Sequence, residues 1–183
     1  MKTAKHFTKI ISLLIFSLTF FVVVPCHGGL RPVDVDVVMA DGELFFVLEA
    51  PKEIESVYVA LHLDPLEALA EAKKKENKRQ LTMWAVEYVP RPGEKKKKYP
   101  ELEQIKYAGK ISGLETTEGP FELQKNVKYR VRIEIYGREF ASEVFYITDD
   151  NKAILLTRKQ KRVYSVSVDK DGNKKLILDP DSK

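Results

Sequence analysis

The chain has 183 residues, with 31 Lys and Arg against 27 Asp and Glu and a formal net charge of +4. Three of the lysines, Lys2, Lys5 and Lys9, lie in a first stretch without acids, so residues 29–183 hold 28 basic against 27 acidic side chains. Near-neutrality excludes nucleic-acid binding driven by net charge, and a single cysteine, Cys26, excludes an internal disulfide.

Residues 1–28 read as a signal-peptide helix. A basic start is followed by 15 uncharged residues, Ile10 to Val24, and then by Pro25, Cys26, His27 and Gly28. This is the order of a secretory signal, and the apolar run is shorter than the ~20 residues a spanning helix needs. Cleavage near Gly28 would remove Cys26. Alternatively, Cys26 is a lipidation site, since Val23-Val24-Pro25-Cys26 partly resembles a lipobox, with Pro25 where that motif has Gly, Ala or Ser. A lipid there would tether the protein without spanning the membrane.

Two further segments are expected, a β-domain over 29–148 and a β-extension over 149–183. Val33–Ala40 alternates valine with Asp34 and Asp36, which reads as a strand with a solvent-facing acidic side. Asp41-Gly42 then turns the chain into Glu43–Ala50, which Pro51 is expected to end. Ile54–Leu63 places Val57, Val59, Leu61 and Leu63 on one face. Asp64 as N-cap, Pro65 in the first turn and Glu67 three residues after the cap predict an inserted helix over 65–78. Leu81–Val89 and Gln104–Leu114 read as strands, separated by a polar loop with four consecutive lysines, Lys95 to Lys98. Tyr129, Val131, Ile133 and Ile135 alternate with Arg130, Arg132 and Glu134, and the chain returns after Gly137 through Arg138–Thr148 as a hairpin. Three short apolar runs after Asp149 predict a C-terminal β-meander.

Leu123, an Asn126-containing turn and Tyr129 entering an alternating strand resemble the tyrosine corner of a fibronectin type III-like or immunoglobulin-like domain. The resemblance implies a mainly β fold, an immunoglobulin-like antiparallel β-sandwich, here with one inserted helix and the meander added. It also implies a domain that binds, spaces or presents, without dictating a ligand.

No catalytic, cofactor or metal-binding residue is expected. His62 is the one histidine beyond residue 28, and a lone strand histidine is ordinarily packing or surface. Without a mature cysteine, zinc sites built from nitrogen and sulfur ligands are close to excluded, and no phosphate loop or nucleophile elbow is present. Asp169-Lys170-Asp171-Gly172-Asn173 has acids spaced as in a calcium loop but no terminal Glu, and it reads as a hairpin turn. Arg158 to Arg162 is a second basic stretch. Tyr58, Trp84, Tyr88 and Tyr107 would line a sugar platform if exposed, and a core otherwise.

The expectation is an exported, non-enzymatic binding or structural module of the cell envelope, periplasmic or extracellular. Its partner would be an unknown envelope protein, with no nucleic acid, and with membrane contact only through a lipid on Cys26. The alternatives are a carbohydrate-active or hydrolytic accessory protein and a membrane-tethered lipoprotein.

Overall fold

A computed structural model describes residues 29–63, 82–90, 93, 97–157, 162–170, 172 and 174–179. The signal region with Cys26 and the 65–78 segment lie outside these residues. The expected antiparallel sandwich with an inserted helix is corrected by what is described: the elements are strands throughout, none helical, and the main sheet is mixed.

The organising element is one long strand. β1 (Arg31–Val33) and β2 (Val35–Ala40) precede β3 (Glu43–Leu61), which continues through Pro51. The first half of β3 pairs antiparallel with β2 and with β5 (Glu101–Lys106). Its second half pairs antiparallel with β4 (Thr82–Glu87) and β7 (Lys128–Ile135). Pro51 is tolerated because it sits at the crossover, inside the interruption of the β5 ladder between Val47 and Lys52 and ahead of Ile54, where the β7 ladder begins. A missing N–H costs no ladder bond where the ladder is interrupted. β6 (Glu115–Glu118) extends the sheet beyond β4, and β8 (Glu139–Ile147) lies beside β7. β8 also carries β1 in parallel and β9 (Ala153–Leu155) in antiparallel pairing. The β1 pairing makes the sheet mixed.

The two halves of β3 belong to layers that share one core. Val35, Val37, Leu44, Phe46 and Leu48 from one layer pack with Val57, Val59, Trp84, Val131, Ile133 and Phe145 from the other. Phe46 meets Phe145 edge to face at 6.0 Å, across the layers. This arrangement is compatible with a β-sandwich. The expected strand face Val57, Val59 and Leu61 does point to this core, as do Tyr129, Val131, Ile133 and Ile135.

The C-terminal segment is not a continuous meander. β9 joins β8, whereas β10 (Tyr164–Val168) and β11 (Lys174–Leu178) form a separate antiparallel hairpin. Gly172, with φ +81°, donates its N–H to Asp169 O at 3.1 Å and closes the turn. The hairpin lies on the outer face of β2 and β3. There Val38, Ala40, Phe45 and Val47 form a second apolar cluster with Leu176, flanked by Tyr164 and Val166. Both faces of the β2–β3 pair are therefore covered, which explains runs such as Val37-Val38 and Phe45-Phe46-Val47 that break strict alternation.

Several tyrosines are buried or half-buried in the fold. Burial raises the phenol pKa of Tyr107 to about 12 and pushes those of Tyr58, Tyr129 and Tyr164 up as well. A folded pKa above the unfolded value near 10 means that the stabilisation is complete below pH ~10 and is lost as pH rises through the folded pKa. Titrating the folded protein at 295 nm is expected to show a group of the eight tyrosines ionising only near pH 12 or on unfolding. A single transition near pH 10 for all of them would contradict the packing.

Candidate functional site

The outer layer and the hairpin leave a cleft between them of about 380 Å³, at the lower end of the range used for small ligands. Its lining comes from three places distant in sequence: Glu43 and Phe45 on β3, Gln104, Lys106, Gly109 and Lys110 at and just after the end of β5, and Gly172 with Lys174 on the hairpin. The expected strand over 104–114 instead ends at Lys106. The chain then turns through Tyr107 and Ala108, with Gly109 N donating to Lys106 O at 3.0 Å, and this turn brings Lys110 back toward the opening.

The charges in the cleft are unevenly engaged. Lys106 Nζ donates to Glu43 Oε1 at 2.7 Å, and Lys174 Nζ stands 3.8 Å from Glu43 Oε2 and 3.6 Å from Asp41 Oδ2. Lys110 makes no ion pair or hydrogen bond among the described residues. The Lys106 hydrogen bond, with Lys106 and Lys174 charges beside it, holds the Glu43 carboxyl below the usual carboxylate range. Glu43 is thus ionised at neutral pH and poorly suited to donate or collect a proton.

The wall formed by the hairpin is pinned by polar groups. Gln104 uses both ends of its amide, Nε2 donating to Leu176 O at 2.5 Å and Oε1 accepting from Leu176 N at 2.8 Å. Asp36, fully buried, accepts a hydrogen bond from the Tyr164 hydroxyl at 2.7 Å and has Arg162 Nη1 at 3.6 Å. Arg162 also reaches Glu49 at 3.5 Å. The solvent-facing role expected for Asp36 is corrected: the hairpin covers that side of β2.

The other residues singled out in the sequence fall as follows. Tyr129 is buried, and its hydroxyl accepts the Gln124 N–H at 2.8 Å, while Leu123 packs against the main core and Asn126 turns with φ +59°. Replacing Tyr129 with Phe keeps the ring and removes that acceptor, and is expected to cost about 1 kcal/mol in urea unfolding. A neutral result would mean that the hydroxyl bond is not formed in solution. His62 follows the last residue of β3, its N–H donating to Lys128 O at 2.9 Å. Trp84 is 1% exposed and packs edge to face on Tyr107 at 5.3 Å, so no platform forms around it. A different aromatic group does form: Tyr88, Tyr99 and Tyr136 stand 5.0 and 5.3 Å apart, with Lys97 over Tyr99 and Tyr136 57% exposed. Cys26, Lys95, Lys96, Asp171, Asn173 and Arg158 to Lys161 lie outside the described residues. Among the described residues no cluster of three or more His, Cys, Asp or Glu is placed to hold a metal.

The sequence reading missed the cleft. Lys106 and Lys110 lie either side of one turn, and Lys174, 64 residues after Lys110, joins them only through the docking of the hairpin. No protein-family model, curated protein or solved structure matches this chain.

Proposed function

We propose that the chain is an exported, non-enzymatic binding module of the cell envelope, periplasmic or extracellular, built as a fibronectin type III-like or immunoglobulin-like domain. The strand order supports the domain reading. β2, the first half of β3 and β5 follow the order A-B-E, and β8, β7, the second half of β3 and β4 follow G-F-C-C′. The Tyr129–Gln124 bond has the form of a tyrosine corner. The observation that carries the binding role is the cleft. Its carboxylate is already committed to lysines and kept ionised, which suits holding a ligand rather than moving protons. In this reading residues 1–28 direct export, the partner is an envelope component, and any membrane contact runs through Cys26.

The test is the intact mass of the protein purified from its native envelope. A chain beginning at His27 or Gly29 supports a free exported module, and one beginning at Cys26 with acyl groups supports a tethered one. A chain that keeps residues 1–28 and fractionates with the cytosol contradicts the reading.

A second reading, a carbohydrate-active accessory protein, is favoured by one observation. The exposed Tyr136 ring, backed by Tyr99 and beside Lys97, offers a face on which a sugar can stack. Protection of Tyr136 by an oligosaccharide in NMR titration would support it.

A further inference from the structure

We propose that the cleft between the outer layer and the C-terminal hairpin binds a compact, multivalent oxyanion, a phosphate or sulfate group. The inference rests on the binding-module reading and names its ligand class. Three lysines, Lys106, Lys110 and Lys174, line a space of about 380 Å³. Among the described residues two carboxylates, Glu43 and Asp41, answer them, and they do so unequally. Lys106 is held at hydrogen-bond distance. Lys174 is held only by long contacts of 3.6 and 3.8 Å, and Lys110 by none among the described residues.

The geometry also selects the ligand. Gln104 uses its Oε1 and one Nε2 N–H on Leu176, so among the described lining residues the charged donors are the lysines. Ammonium groups act as point charges with three rotatable donors and impose no planar fork. They therefore suit a tetrahedral oxyanion approached from several sides better than a single planar carboxylate. A Cβ at Gly172 would meet no atom within 4 Å, so the backbone there borders open space. The anion is thus free or an ester on a larger molecule, and the two probes below distinguish these.

Glu43 gives the proposal a signature that a merely basic surface lacks. It competes with the ligand for Lys106 and Lys174. Glu43→Gln removes that competition while keeping the shape, so it should tighten binding.

The experiment is isothermal titration of the full mature chain with inorganic pyrophosphate and, in parallel, with a sulfated disaccharide, at two salt concentrations. The expected result is one saturating site with Kd of about 1 mM or tighter for at least one probe. Lys110→Ala and Lys174→Ala should each weaken binding about fivefold, Glu43→Gln should strengthen it severalfold, and added salt should weaken it. Lys175→Ala is the control. It makes the same charge change on the opposite face of β11 and should leave binding unaltered. Tighter binding of pyrophosphate marks a free phosphate site, and tighter binding of the disaccharide marks an ester site. No saturable binding of either probe overturns the proposal, as does an equal response of all three lysine variants. Circular dichroism of each variant separates loss of the site from loss of the fold. Either negative leaves the mass of the mature chain untouched, so the ligand assignment fails separately from the export reading.

Discussion

Gly119→Ala is expected to destabilise the protein by about 3–4 kcal/mol, the largest loss from any single methyl group added to this fold. Gly119 adopts φ +67°, and a Cβ built there falls 2.2 Å from Met83 O. Real Cβ atoms do not approach a carbonyl oxygen that closely, so something must move. The Met83 carbonyl cannot yield cheaply, because it accepts the Phe121 N–H at 2.9 Å and lies 3.2 Å from the Tyr107 hydroxyl, which donates at 2.6 Å to Phe121 O. Its residue lies on β4 beside Trp84, whose ring is fixed against Tyr107. Adding one methyl therefore strains the backbone at 119 and also breaks a junction joining β4, the turn after β5 and the segment after β6. Gly42 and Gly137 supply the comparison. Both have positive φ, and neither has an atom within 4 Å of the added Cβ. Alanine at either site is expected to cost about 1–2 kcal/mol, from conformation alone. Urea unfolding of the three variants checks the difference, and equal losses at all three would show that the close approach at Gly119 is absent in solution.

Asp36→Ala is expected to cost about 2–3 kcal/mol and to act first on the hairpin. The side chain is fully buried between β2 and the hairpin, and the Tyr164 hydroxyl donates to it at 2.7 Å. Alanine leaves that hydroxyl without this acceptor and takes from Arg162 the carboxylate 3.6 Å from its Nη1, while Glu49 stays at 3.5 Å. Because β10 and β11 pair only with each other, docking depends on Leu176, Gln104 and this polar group rather than on a shared ladder. Local opening is therefore cheaper than global unfolding. Amide exchange at Leu176 is expected to accelerate well before exchange in β7. Asp36→Asn keeps an oxygen acceptor and should lose less than half as much. If both variants change β7 and Leu176 alike, the hairpin is part of the main cooperative unit.

How far the fold was legible from sequence depended on how many layers touch each strand. In β7, one side faces the core and the other faces water, so Tyr129 to Ile135 could be read directly from alternation. The β7–β8 hairpin followed from Gly137 for the same reason. Asp36 was misread because period-two patterning says only that a residue is opposite the core; it does not say that a second layer lies on that side. Pro51 reads as a stop because proline cannot donate to a ladder, yet at a crossover between layers there is no ladder bond to lose. The parallel pairing of β1 with β8 carries no local signal, as three residues, Arg31 to Val33, cannot announce the direction of a strand 108 residues away. The cleft was illegible for a related reason: Lys106, Lys110 and Lys174 look like ordinary surface lysines until the hairpin is placed. The Leu123–Tyr129 stretch, by contrast, was recognisable because a buried tyrosine at a strand entrance needs an acceptor or donor close by in sequence, and Gln124 N supplies it.

The central claim is that the C-terminal hairpin covers the outer face of β2 and β3 and so creates the cleft. The most direct test is NMR on the protein, measuring NOEs from the Leu176 methyls to Val38, Phe45 and Val47 together with the exchange rate of the Leu176 amide. The account predicts NOEs to all three residues and an amide protected by its bond to Gln104. Absence of those NOEs, with a Leu176 amide exchanging as fast as an unstructured peptide, would mean a free hairpin, an open β2–β3 face and no cleft.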